Sequence, residues 1–268
     1  MSAIRIRPVA TGLAGLGILA AACTASPSAP TSQPSLSTNA SANAAETPFP
    51  AALSSQAPYQ PSIDPAAFTA LVDNPYFPLP AGARWVMEGS GESTGEVTTT
   101  LVIDQTKTIM GVVCTVVRDE LTTDGVLKEL TFDWYAQDAD GNVWYFGEDT
   151  AEYDKKGEVT TREGSWEAGV DGAQPGIIMP ADPVLDLTYR QEFYAGQAED
   201  QATVVELGAA ADTPAGQYTD VLVTEDWTPL EPDILERKFY APGVGLVKER
   251  DVQGAHAKND LTEFSAPS

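Results

Sequence analysis

The chain lacks most of the residues on which familiar catalytic sites are built. Of its 268 residues one is histidine and two are cysteine. A single histidine excludes a multi-histidine zinc site, and two cysteines exclude a thiolate metal cluster. It has no glycine-rich phosphate loop, no Gly-x-Ser-x-Gly elbow and no dinucleotide fingerprint. Positive charge is scarce as well: 15 Lys and Arg stand against 39 Asp and Glu, for a net charge of −24. That sign argues against nucleic acid or anionic lipid as a partner held by charge. It leaves cations, basic partners or no partner, and it is also an ordinary route to solubility outside the cell. No apolar run reaches the roughly 20 residues needed to cross a bilayer as a helix.

The most apolar stretch, residues 9–22, belongs to a leader. Arg5 and Arg7 supply a positive start, the small apolar run follows, and Cys23 comes after three alanines. The segment "LAAAC", residues 19–23, resembles the lipobox of bacterial lipoproteins. The bulky residue that the family places three before the cysteine is here Leu19, four before it, with Ala20 in its place. The resemblance implies cleavage after residue 22, acylation of Cys23 (palmitate among the chains), and a membrane anchor on the extracytoplasmic face. An ordinary secretory signal cleaved at Ala-x-Ala is the other reading. Residues 23–62 are mostly Ser, Ala, Thr and Pro with almost no charge. Such a segment buries too little apolar surface to offset its ordering entropy, and it reads as a stalk.

Residues 63–268 are expected to form a single domain. The leader holds Arg5 and Arg7 and no acid, so its removal would leave −26. With Cys23 lipidated, Cys114 has no disulfide partner. It sits among β-branched residues in "MGVVCTVVRDEL" and reads as a small buried hydrophobe. His256, in "DVQGAHAKND", reads as a solvated loop residue.

One short helix is expected in "SIDPAAFTALVDNP". Asp64 is placed to cap it, Pro65 suits its first position, Phe68, Leu71 and Val72 share a face, and Asn74-Pro75 ends it. Thereafter β signals dominate. The turns "TTDG", "DADG" and "DKKG" separate strand-like runs at 112–121, 127–137, 143–149 and 158–162. Residues 175–187 read as a proline-punctuated crossing loop, and strands resume at 189–194, 202–207, 218–224, 234–240 and 245–250. The fold expected is all-β: an antiparallel meander closing into a barrel or a strongly curved two-layer sheet, with the short helix at its start. The ending "RKFYAPGVGLVKERD" resembles the last hairpin of secreted, lipoprotein-like β-domains of unassigned function.

The densest chemistry lies in "DWYAQDADGNVWYFGED", residues 133–149, with five acids and five aromatics. "DADGN" places Asp138, Asp140 and Asn142 like the opening of a calcium loop. Val143 stands where that loop needs glycine and Asp149 where it needs Glu, so the segment reads as a turn. A two-residue turn at Asp140-Gly141 sets Gln137 opposite Trp144, Tyr135 opposite Phe146 and Asp133 opposite Glu148. These share one face, while Phe132, Trp134, Ala136, Tyr145 and Gly147 share the other. Like charges so opposed cost up to about 1 kcal/mol. Three arrangements would tolerate Asp133 opposite Glu148: solvent screening, a cation or ligand ammonium bridging the pair, or a proton shared as in an acid/base dyad. Tyr135, Trp144 and Phe146 are the neighbouring candidates for ligand contact. On the strand at 189–194, Arg190 and Glu192 are expected on one face, as an ion pair or a ligand-orienting pair.

The function expected is a membrane-anchored extracytoplasmic lipoprotein binding a small molecule or cell-envelope component, without catalysis or a required cofactor. Two alternatives stand beside it. One is a carboxylate-dependent hydrolase or isomerase using Asp133 and Glu148. The other is a calcium-dependent structural or adhesion module with the same pair as ligands.

Overall fold

The structure, a computed structural model, describes residues 59–254 and 256–267. Cys23, the leader and the stalk as far as residue 58 lie outside the described residues. The all-β expectation holds. Sixteen strands follow in chain order: β1 (Phe68–Thr69), β2 (Arg84–Ser90), β3 (Glu96–Ile109), β4 (Val112–Thr123), β5 (Val126–Asp138), β6 (Val143–Tyr153), β7 (Val159–Thr161) and β8 (Trp166–Glu167). Then come β9 (Gln174–Met179), β10 (Thr188–Arg190), β11 (Glu192–Phe193), β12 (Gln201–Thr213), β13 (Gly216–Trp227), β14 (Leu235–Ala241), β15 (Gly245–Gln253) and β16 (Lys258–Ser265).

The strands form one antiparallel sheet in the order β10-β12-β13-β14-β15-β16-β2-β3-β4-β5-β6-β9-β11, with β1 on β5 and β7 and β8 on β6. Its two ends are consecutive in the chain. β10 pairs with β12 at one end and β11 with β9 at the other, and Gln191 alone separates β10 from β11. The sheet therefore curls into a nearly closed barrel, which removes the exposed edges a flat sheet of this length would present. At the seam the backbones come very close: a Cβ on Gly176 would lie 2.3 Å from the carbonyl carbon of Gln191. Only glycine fits there.

Local chemistry explains the turns. Between β4 and β5, Asp124 and Gly125 both have positive φ (52° and 75°), the left-handed pair that a two-residue hairpin requires and that Asp-Gly supplies cheaply. The inward faces of the long strands carry Trp85, Val102, Val117, Tyr135, Leu222, Val247 and Leu261, all fully buried.

The structure departs from the sequence reading at four places. The expected helix is a single 3-10 turn, Pro65–Ala67. Asp64 does cap it, accepting from the Ala66 amide at 3.1 Å, and Pro65 does open it. Phe68 then leaves the helix to pair with Asp138 and to pack edge-on against Trp144 and Phe146 at 5.9 and 5.6 Å. Aromatic burial outweighs the weak propensity of a short helix, and Leu71, assigned to its apolar face, is exposed. The crossing loop at 175–187 contains β9, and the charged C-terminal segment is β16, which pairs with both β15 and β2. Tyr59, placed by the sequence in the stalk, packs on the domain: its ring meets Phe193 edge-on at 5.8 Å and its hydroxyl donates to the Pro175 carbonyl at 3.0 Å.

Candidate functional site

The β5–β6 hairpin departs from the simple register and then returns to it. Its loop has three residues, not two. The Asp138 amide donates to Asn142 O, and the Asp138 carboxylate accepts from the Asp140 and Asn142 amides. Gln137 therefore faces Val143, Ala136 faces Trp144 and Tyr135 faces Tyr145. A bulge follows, in which Phe146 and Gly147 together oppose Trp134 and the register shifts by one residue. Gly147 makes the bulge possible, with φ of 125° and its Cα hydrogen facing the backbone of β8. After the bulge Asp133 stands opposite Glu148.

The expected pair is thus present, with different companions. Tyr135 and Tyr145 share its face and stack with ring centroids 4.9 Å apart. Trp144 and Phe146 pack against Phe68 on the opposite face, and there the Trp144 indole donates to Asp138 at 2.8 Å. Those two residues are corrected out of the site, and Tyr145 enters it. The sequence cue for Tyr145 was the Gly147 two residues on, since glycine inside a strand marks a bulge.

Solvent screening of the acid pair is excluded, because Asp133 is 0% and Glu148 8% exposed. The Tyr145 hydroxyl lies 2.7 Å from Asp133 Oδ1 and 3.0 Å from Glu148 Oε2. Two hydrogen bonds to one hydroxyl oxygen need two protons, and tyrosine brings one. A carboxyl group supplies the other. Asp133 is the group placed to hold it, since burial first, and then the nearby charges of Asp119 and Glu148, push its pKa well above the usual carboxylate range. Burial and the same acids push the Tyr135 and Tyr145 hydroxyls up too, so both stay neutral. Asp133 Oδ2 accepts no hydrogen bond from the described residues.

A second polar group lines the interior across β10, β12, β13, β14 and β15. The registers Tyr189–Ala202–Asp226–Glu236 and Thr224–Lys238–Glu249 each run along one inward row. Lys238, 3% exposed in its side chain, lies 3.6 Å from Glu236, 3.7 Å from Asp226 and 4.0 Å from Glu249. Asp226 accepts from Gln191 Nε2 at 3.0 Å and from the Thr224 hydroxyl. Burial raises the Lys238 carboxylate partners Asp226 and Glu236, and the surrounding acids hold Lys238 firmly protonated against its own burial. Burial lifts Asp200 to about 8, with Lys238 opposing the shift. The two polar groups are within electrostatic reach of each other: Glu148 acts on Asp200, and Glu192 acts on Tyr145.

Arg190 and Glu192 do not share a face. The strand read across residues 189–194 breaks at Gln191, where the seam changes partners. Arg190 lies under the rings of Tyr59 and Phe193, 5.4 and 4.9 Å from their centroids, while Glu192 is buried on the side of Tyr145. No ion pair joins them among the described residues.

Among the described residues no three His, Cys, Asp or Glu side chains converge as metal ligands. Cys114 is buried, with burial pushing its thiol up to about 12, as befits a small hydrophobe and not a nucleophile. A surface hollow of about 230 Å³ opens over Leu71, Leu79, Val102 and Thr115. It touches none of the buried acids: its one acid, Asp104, is exposed, so the hollow has no part in their chemistry.

No family model matches the chain, and no curated protein matches it significantly. Two solved structures match it. One, from Bacteroides fragilis, is assigned as an exported protein with a YmcC-like fold, at a TM-score of 0.42 and 14% identity over 71% of this chain and 99% of that one. The other, from Parabacteroides distasonis, is assigned as a lipoprotein, at 0.39 and 12% over 71% and 98%. At this distance neither says what the interior acids do.

Proposed function

We propose that the protein is an extracytoplasmic lipoprotein, tethered through Cys23, whose β-domain binds a small or envelope-derived ligand by an ammonium or similar cationic donor. The observation that carries this reading is Asp133. A carboxyl group with 0% exposure, one oxygen without a hydrogen-bond partner among the described residues, and a second acid across the ladder is costly to the fold. A cationic donor meeting Asp133 Oδ2 removes that cost, and the Tyr145 hydroxyl holds the acid pair in position to receive it.

Binding fits the geometry better than carboxylate catalysis. An acid/base pair needs a substrate or water between its carboxyl groups. Here the Tyr145 hydroxyl occupies that place, in contact with both.

Ligand-observed NMR of n-propylamine with the full-length chain in detergent tests the reading. Saturation transfer is expected with the native chain and lost with Asp133→Asn, which keeps size and folds with a melting temperature equal or higher, because it relieves the buried acid. Equal transfer in both chains defeats the proposal. Calcium chloride at millimolar concentration in the same sample checks the metal alternative, which requires a rise in melting temperature.

A further inference from the structure

Three polar atoms beside the seam have no hydrogen-bond partner among the described residues: Tyr189 Oη, Gln191 Oε1 and Asp200 Oδ2; Thr228 Oγ1, close enough to Asp200 to offset part of the rise in its pKa, is a fourth. The first three residues are 7%, 0% and 4% exposed. An unmet buried polar group destabilises the fold, so three in one neighbourhood call for an explanation. They are neighbours by construction. Gln191, at the bend that follows β10, reaches the face of Tyr189, because its Nε2 donates to Asp226 in the Tyr189–Ala202 row. Tyr189 pairs with Ala202, and the Gln191 amide donates to the Asp200 carbonyl at 2.8 Å, extending that register by one step. Asp200 and Ala202 therefore lie across from Gln191 and Tyr189 on the same face. Ala202 is the small residue in the row between Tyr189 and Asp226.

The chemistry of these atoms is mixed. Gln191 Oε1, an amide oxygen, accepts only, while its Nε2 donates to Asp226. Tyr189 both donates and accepts, and so does a protonated Asp200. The setting favours neither ionic sign: Lys238 opposes an incoming cation, while Asp226, Glu236 and Glu249 oppose an anion. A hydroxyl group, which is neutral and both donates and accepts, satisfies all three atoms.

We propose that Tyr189, Gln191 and Asp200 form a second subsite that takes the hydroxyl groups of a sugar or polyol portion of the ligand. The inference rests on the reading that Asp133 meets the ligand's ammonium, and together they describe a hydroxylated amine such as an amino sugar.

Glucosamine and n-propylamine, titrated separately against the full-length chain by ligand-observed NMR, test it. Glucosamine is expected to bind at least tenfold more tightly than n-propylamine. Tyr189→Phe removes one unpartnered hydroxyl and no internal bond, so it is expected to fold with unchanged or higher melting temperature. It should weaken glucosamine about tenfold, the value of one hydrogen bond of roughly 1.4 kcal/mol, and leave n-propylamine unchanged. Equal affinity for the two probes, or glucosamine binding unaltered by Tyr189→Phe, overturns the subsite while the ammonium site stands. Asp133→Asn separates the two ideas. Loss of both probes supports the shared ligand, whereas retention of both overturns the ammonium site and the subsite as described. Failure of n-propylamine to bind the native chain overturns both, whereas failure of glucosamine alone overturns the subsite.

Discussion

Asp133 and Glu148 face each other across β5 and β6 in the barrel interior, and the hydroxyl of Tyr145 contacts both, at 2.7 and 3.0 Å. Opposed acids normally weaken a sheet. Here the shared hydroxyl and a retained carboxyl proton turn repulsion into a hydrogen-bonded triad. The interior charge is thereby held in a defined place at some cost to stability, the pattern expected of a residue kept for function.

Tyr145→Phe keeps the ring stack and removes the shared hydroxyl. Both carboxyl groups lose a partner in a buried setting, and the expected loss is about 1–3 kcal/mol in urea denaturation. The loss should be greater at pH 8 than at pH 5, because more carboxylate charge is then left without its donor. A loss that is equal at both pH values would show that Tyr145 acts by packing alone.

The buried acids also set the pH profile. The folded-state pKa of Asp200 is lifted to about 8 from an ordinary 3.8. Between those values the folded chain binds more protons than the unfolded one, so stability falls as pH rises through the window and is fully present only below about pH 4. Asp133 shifts in the same direction. Asp200→Asn, neutral throughout, is expected to lose less melting temperature between pH 4 and pH 8 than the native chain. Circular dichroism melts at unit pH steps decide it, and parallel profiles would remove Asp200 from the account.

The fold was legible where short-range chemistry determines it. Asp124-Gly125 marked a hairpin because that pair tolerates left-handed backbone, and the β-branched runs on either side supplied the strands. Asp133 opposite Glu148 was legible in outcome but not in route, because the three-residue loop and the Phe146-Gly147 bulge shift the register in opposite senses and cancel. The bulge depends on β8 lying against Gly147, a long-range contact that no local pattern announces. Phe68 and Gln191 show the same limit. A helix pattern yields to aromatic packing from β6, and a strand pattern is cut where the sheet's two ends meet. Tyr189, Gln191 and Asp200 carried no sequence signal, since their interest comes from what surrounds them once the barrel is closed.

Gly147→Ala tests the bulge. The residue sits at φ 125°, and a methyl group there would lie 2.3 Å from the Trp166 carbonyl oxygen. Strained backbone costs roughly 1–3 kcal/mol and displacement of β8 adds to it, so a loss of about 3 kcal/mol or more in urea denaturation is expected. Glu148 should also come out of register with Asp133, seen as altered chemical shifts of the Tyr145 ring. A variant as stable as the native chain would mean that β8 does not hold this bulge.

The seam is the barrel's weakest closure, and Tyr59 is the clip across it. β9 and β11 share two residue pairs, and β10 and β12 share three. Tyr59 reinforces them from outside through the Phe193 ring, the Arg190 guanidinium and the Pro175 carbonyl. Its hydroxyl is pushed up to about 12, by burial first, with Arg190 opposing, so it remains a donor throughout the working range. Segments held by few ladder bonds open locally before the whole domain unfolds. In Tyr59→Ala, amide hydrogen exchange should therefore quicken by about tenfold or more at residues 174–179 and 188–193, while the β4–β5 ladder exchanges as before; that factor corresponds to losing roughly 1.4 kcal/mol of local closure. Since Gln191 and Glu192 lie at this seam beside the interior acids, the same variant should also speed the association of the n-propylamine probe, should it bind as proposed. Uniform acceleration across the domain would assign Tyr59 to global stability and leave the seam no special part in access.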